Sequence, residues 1–449
     1  MAGQLPRNFM MKQRLLPLAL ALSGAFVLTA QAQSLVELHD AARSFDASYQ
    51  SAKSQYDANL FKAEQAKAGL LPSAGLGMGI NRTNISSGTT AFDRGSFGNQ
   101  SATLNASQPL YRPFNTAVAA QGKRSVDVAR AQLQAADQDL IVRVSQAYFD
   151  VLAASDNLTF VKAQKSAVAE QLASAKRNFE VGTATITDTR EAQARFDLVT
   201  AQEIAAENDL RVKKIALDQL TGIVGTAPKP LAVPVRITAV MPADLNHWVD
   251  QSEQLSTAVQ QARLGLEVAQ LETQKAQAGH KPTLDLVGSY NITQNNGSAS
   301  TTQDYRTNVA SIGLNLNLPL FAGYATQNRV KETLALEDKA RNDLEAAKRG
   351  AAQATRSAFF GVESGLGQVK AFEAAEASSQ SALDATKLGY QVGVRINIDV
   401  LNAQTALFDT KAKLAKARYD VLLGGLKLRQ ANGSLKSDDL NAVNALLAK

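Results

Sequence analysis

Cysteine is absent from all 449 residues, which excludes a disulfide framework, thiolate metal ligation and an N-terminal lipidated cysteine. Histidine is scarce as well. His39, His247 and His280 stand far apart without ligand spacing, so no metal site is expected. No glycine-rich phosphate loop follows a strand-like segment and no nucleophile elbow occurs, so nothing points to an enzyme or a cofactor. The single tryptophan, Trp248, is assigned to packing. Charge of either sign is not in excess: 47 Lys and Arg face 41 Asp and Glu, and acidic pairs such as Asp137/Asp139 fall on a solvated helix face. This mild balance speaks against a nucleic-acid partner. The apolar run Leu15 to Leu28 is shorter than the roughly 20 residues a membrane helix needs.

That run does carry an address. Arg7, Lys12 and Arg14 precede it, and Ala30-Gln31-Ala32 follows it as a small-x-small cleavage site, so residues 1–32 read as a signal peptide with a mature start at Gln33. Removing its three basic groups leaves 47 − 3 − 41 = +3.

The rest of the chain nearly repeats itself. Ala66, Gly69 and Pro72 return as Ala276, Gly279 and Pro282, and Pro109-Leu110 as Pro319-Leu320. After a one-residue slip, Ala147 and Phe149 match Ala358 and Phe360, Gly182 matches Gly393, Asp188 matches Asp399 and Gln193 matches Gln404. Matches in one order with one indel imply a duplicated unit. The expected divisions are a first repeat at 33–227, a Pro-containing connector at 228–246, a second repeat at 247–433 and a C-terminal segment at 434–449.

Helical periodicity dominates both repeats. Residues 34–68 and 115–180 read as helices. In the second, Leu140, Val144, Ala147, Val151, Ala154, Leu158, Val161, Lys165, Val168, Leu172, Ala175 and Phe179 step by four and three, the seam of a coiled coil. Residues 324–390 are its counterpart with a weaker seam, and 188–221, 247–278 and 399–432 complete the set. A helix of about 66 residues would run roughly 100 Å.

Four segments switch to period two: Leu76 to Ile80, Ala102 to Ala106, Leu284 to Ile292 and Ser311 to Leu318. They pair as two hairpins over polar loops near 82–100 and 294–307, with Pro72, Pro109, Pro282 and Pro319 at the passages to helix. In a secreted chain such strands enter a membrane only within a closed barrel, and the smallest has about eight strands. One chain offers four, so several protomers must close the barrel and the long helices must form a ring with it. A soluble periplasmic coiled-coil scaffold, with half-buried strands, and a periplasmic enzyme with an unrecognised site are the rival readings.

Between the long helices and their successors lie two short turns. Gly182 and Gly393 suit the left-handed position that ends a helix, and Asp188 and Asp399 stand where an N-cap is expected, Asp188 with Glu191 as a capping box.

Together with this layout, Gly69-Leu70-Leu71-Pro72, His280 to Leu286, Leu318 to Gly323, Val181 to Asp188 and Tyr390 to Leu401 resemble the TolC family of outer-membrane channels over essentially the whole mature chain. The resemblance implies a homotrimer in which four strands per chain build a twelve-stranded barrel in outer-membrane lipid, continuous with a long α-helical barrel through the periplasm. It implies a passive exit duct for efflux or type I secretion that docks to a periplasmic adaptor and an inner-membrane pump or ABC transporter. The two turns become the periplasmic tips. Asp399 becomes the constriction residue, and Tyr390 and Arg395 match positions that bond the neighbouring tip at Thr187 and Asp188. The family's second acidic ring falls at Asn402, so a double acidic ring is not expected. Tyr111, Phe114, Phe321 and Tyr324 lie beside the barrel-side prolines, as an interfacial belt or as packing where the barrel tapers.

Overall fold

The computed structural model describes residues 32–84, 96–232, 234–235, 237, 239, 241–298, 301 and 303–448. The signal-peptide reading, apart from Ala32, and the centre of the loop near 82–100 lie outside these residues. The described elements run α1 (Leu35–Phe45), α2 (Ala47–Ala68), β1 (Ser73–Asn84), β2 (Ser96–Tyr111), α3 (Pro113–Glu180), α4 (Ile186–Thr221), α5 (Leu245–Leu255), α6 (Thr257–Gln277), β3 (Thr283–Asn296), β4 (Asp304–Asn317), α7 (Ala325–Gln391), α8 (Asn397–Asn432) and α9 (Asp439–Asn444).

The strands form one antiparallel sheet in the order β1-β2-β3-β4, and neither outer edge has a partner among the described residues. They are 12 to 16 residues long, well beyond the short alternating stretches in the sequence. Their ends are rich in Asn, Ser and Thr and hide the alternation, while the backbone ladder continues through them. Pro109 lies inside β2 rather than at its end. It sits at a register shift between Pro109 and Tyr111, where a residue without an N–H is tolerated.

The register sorts the side chains. Leu76, Leu104, Tyr290 and Ala310 lie across from one another, as do Met78, Ala102 and Ile292, and next to them Leu286 pairs with Leu314 and Leu284 with Leu316. The rows on the other face hold Asn105, Ser289 and Ser311, then Thr103 and Asn291, then Asn81, Asn99 and Asn295. These amides and hydroxyls bond across strands, Asn99 to Asn295 at 2.7 Å, Asn291 to Thr103 at 2.5 Å and Ser289 to Ser311 at 2.8 Å. The apolar face has no cover: Ile80 is 82% exposed and Ile312 81%.

Away from the sheet run α3 and α7, 68 and 67 residues long, or about 100 Å each at 1.5 Å per residue. On the sheet side of the molecule the packing order is α2-α3-α6-α7, and on the far side α4-α3-α8-α7. The heptad seam of α3 is buried at Leu140, Val144, Val151, Ala154, Val168, Leu172 and Ala175, and it ends where Phe179 is exposed. Around the middle, α3 also buries Ile141, Tyr148, Phe149 and Leu152, because α1, the connector and the C-terminal segment cover a second face there. Trp248 is buried in this region and donates from Nε1 to the Pro242 carbonyl at 2.8 Å.

Two helices expected to be continuous are broken. The 34–68 stretch stops at Asp46, whose carboxylate caps α2 through the Tyr49 amide at 2.8 Å and receives both terminal nitrogens of Arg143 at 2.9 Å. That guanidinium holds the Asp46 carboxyl below the usual carboxylate range. The 247–278 stretch breaks at Ser256, whose backbone leaves helical geometry at φ −54° and ψ 129°.

Candidate pore constriction at the helix tips

At the end distant from the sheet, α3 turns into α4 and α7 into α8, each over a few residues. Gly182 and Gly393 adopt φ 80° and 82°, the left-handed region that glycine enters without a Cβ penalty. Both turns are Schellman motifs. The Thr183 amide donates to the Asn178 carbonyl at 2.8 Å and the Gly182 amide to Phe179 at 3.0 Å; Val394 donates to Gly389 at 2.9 Å and Gly393 to Tyr390 at 3.2 Å.

The next helices start earlier than Asp188 and Asp399, and neither aspartate is an N-cap. Thr185 caps α4, with Asp188 as the third helical residue. The Asp188 amide donates to Thr185 Oγ1 at 3.2 Å, while Asp188 Oδ2 accepts from the Thr185 amide at 2.9 Å and its hydroxyl at 2.8 Å. The capping box is therefore Thr185 with Asp188, not Asp188 with Glu191, because the hydroxyl at 185 takes the role first. In the second turn Ile396 stands at the cap and has no side-chain acceptor, so Asp399 Oδ2 keeps only a long 3.5 Å contact from the Ile396 amide.

Freed from a full box, Asp399 faces Arg395 Nη1 at 3.7 Å. Asn402, one turn further and exposed, accepts from Arg195 Nη2 of α4 at 2.9 Å. The Tyr390 hydroxyl accepts from Asn178 Nδ2 at 3.2 Å, so within one protomer it holds the α3 end of the first tip. Thr187 is exposed on the first turn of α4. The two tips are tied further by Asn397, which donates to the Asp188 carbonyl at 3.2 Å and takes a short hydrogen bond from Gln171.

Arg195, Asn178, Asn397 and Gln171 were not singled out from the sequence. Arg195 did carry a signal, since it lies seven residues after Asp188 and thus two turns along the same face. The tip surfaces are also apolar: Val181, Val392, Val394 and Ile396 are all exposed.

Residues 33–223 and 248–434 match the family described as Outer membrane efflux protein. The chain belongs to this family. Outer membrane efflux proteins with similar sequences include the outer membrane protein TolC of Vibrio cholerae, 35% identical over 96% of this chain and 98% of that one. The alkaline protease secretion protein AprF of Pseudomonas aeruginosa is 29% identical over 94% of this chain and 90% of its own. Among solved structures, the CmeC outer membrane channel of Campylobacter jejuni superposes with a TM-score of 0.78, at 16% identity, over 99% of this chain and 97% of that one. As an outer membrane efflux protein, the chain is an outer-membrane channel for export from a Gram-negative cell, and the scaffold reading falls away. Its relatives are channel proteins rather than enzymes. The amphipathic four-stranded sheet and the long helices are the fold of these channels.

Proposed function

We propose that three copies of this chain form a passive exit duct, gated at the helix tips, which passes cargo delivered by an inner-membrane pump or ABC transporter. The observation that carries this reading is the sheet: four strands with an uncovered apolar face, a polar opposite face and two edges unpaired among the described residues. In lipid each unpaired backbone group costs several kcal/mol, so the edges must meet other protomers. The outermost helices, α2 and α4 on one side and α7 on the other, continue those two edges downward and form the lateral seams of the same ring. In this reading the repeats 33–227 and 247–433 make equivalent halves of each wall segment, and 228–246 with 434–449 form a collar around the middle. The aromatic residues Tyr111, Phe114, Phe321 and Tyr324, all exposed, sit at the lipid boundary. The apolar rim of Val181, Val392, Val394 and Ile396 is where a periplasmic adaptor docks.

The gate is assigned to Asp399, with Tyr390 and Arg395 holding each tip against its neighbour at Thr187 and Asp188. Three like charges on a narrow ring repel one another, so closure needs such offsetting bonds. Single-channel recording in planar bilayers tests this: Arg395→Ser combined with Tyr390→Phe raises conductance. Wild-type conductance in this variant would move the constriction away from the tips. A detergent-corrected mass by light scattering tests the assembly, and a stable membrane-inserted monomer is the result that refutes it.

A further inference from the structure

We propose that Arg195 sets the ion preference of the closed tip, by placing a positive charge one helical turn beyond Asp399. This rests on the reading of the tips as the pore constriction. One side of α8 at the tip carries the half-buried Asp399 and, three residues on, the exposed Asn402. At the first of these levels the charges offset, because Arg395 lies 3.7 Å from Asp399. At the second level they do not. Arg195 reaches from α4 across to α8 and donates from Nη2 to Asn402 Oδ1 at 2.9 Å. The amide holds the guanidinium in place without neutralising it, and a guanidinium does not lose its proton in a protein. No carboxylate among the described residues lies at ion-pair distance from Arg195.

Threefold repetition turns this pair into a ring of three fixed positive charges beside a ring of three paired aspartates. Such a constriction passes anions more readily than an acidic ring alone, and it gives multivalent cations a weaker foothold. The position of Asn402 matters through this bond. A carboxylate there would form an ion pair with Arg195, so the same substitution has different consequences with and without the arginine.

The test is the reversal potential of the full-length channel in planar bilayers under a KCl gradient, for wild type, Arg195→Gln, Arg195→Lys, Asn402→Asp, the Arg195→Gln/Asn402→Asp double variant and Asp399→Ala. Arg195→Gln is expected to raise the cation-to-anion permeability ratio by at least about three-fold, the factor for one ion and one charge about 6 Å away in water, since the homotrimer loses three such charges. Arg195→Lys keeps the charge and stays near wild type, which separates charge from packing. Asn402→Asp alone shifts the ratio less than the same change made on top of Arg195→Gln. If Arg195→Gln leaves the ratio unchanged while Asp399→Ala lowers it, the constriction stands and the role of Arg195 is refuted. If neither variant moves the ratio, the constriction reading fails and this inference fails with it.

Discussion

Thr185 at the first tip puts a hydroxyl where α4 begins, and Asp188 answers it by bonding both the Thr185 amide and its hydroxyl. Ile396 occupies the same place at the second tip, and the equivalent carboxylate, Asp399, has only a 3.5 Å contact with the backbone and turns toward Arg395. The turns are otherwise alike, with the same Schellman bonds and glycines within 2° of each other, at 80° and 82°. Two copies of one motif have thus divided the work. A carboxylate committed to a helix start stabilises the turn, and on the proposed reading of the tips the carboxylate released from that duty serves the pore.

The strongest way to probe the likeness of the two turns is to replace their glycines. An added Cβ at Gly182 or Gly393 meets nothing within 4 Å, so Gly182→Val and Gly393→Val should each cost at least about 1–2 kcal/mol of local stability from backbone conformation alone. Hydrogen-exchange protection of the tip peptides should fall by equal amounts in the two variants. Unequal losses would mean the turns are not mechanical equivalents.

Next in size is the cap itself. Thr185→Val removes the acceptor for the Asp188 amide and should cost about 1 kcal/mol at the first tip, read as faster exchange at the start of α4 with channel conductance unchanged. The converse change, Ile396→Thr, should stabilise the second tip by roughly 0.5–1 kcal/mol and draw Asp399 onto the Ile396 amide position, away from Arg395. Its exchange should slow and its gating should alter together; slower exchange with unaltered gating would uncouple Asp399 from the pore.

The smallest expected change in stability comes from the aspartates compared directly. Asp399→Asn breaks an exposed pair worth a few tenths to about 1 kcal/mol, yet it should lower cation selectivity and block by multivalent cations. Asp188→Asn should do the reverse, weakening the α4 start and leaving selectivity in place. If both substitutions affect selectivity equally, the division between the two tips is wrong.

Much of this architecture was legible in the chain. The seam from Leu140 to Phe179 and the glycines at 182 and 393 are local signals, since a heptad period and a left-handed turn each need only nearby residues. The aspartates at 188 and 399 do stand near the helix starts, but neither is the cap, because which of several polar residues becomes the N-cap depends on where the preceding turn releases the chain. Thr185 reads as a cap only once the turn through Gly182 has been closed by its bonds to Asn178 and Phe179.

The period of each segment, and with it the long helices, the alternating strands and the duplication, follows from the order of residues alone, because periodicity is carried by neighbours along the chain. Packing between elements settled that Asp46 meets Arg143 where α1 ends, that Tyr390 reaches Asn178 and that Arg195 lies on Asn402. These partners stand 97, 212 and 207 residues apart. Nothing local selects them, since hydrogen bonds between charged and polar side chains act only at contact, and it is helix packing that brings such distant residues to within 3 Å or so of one another.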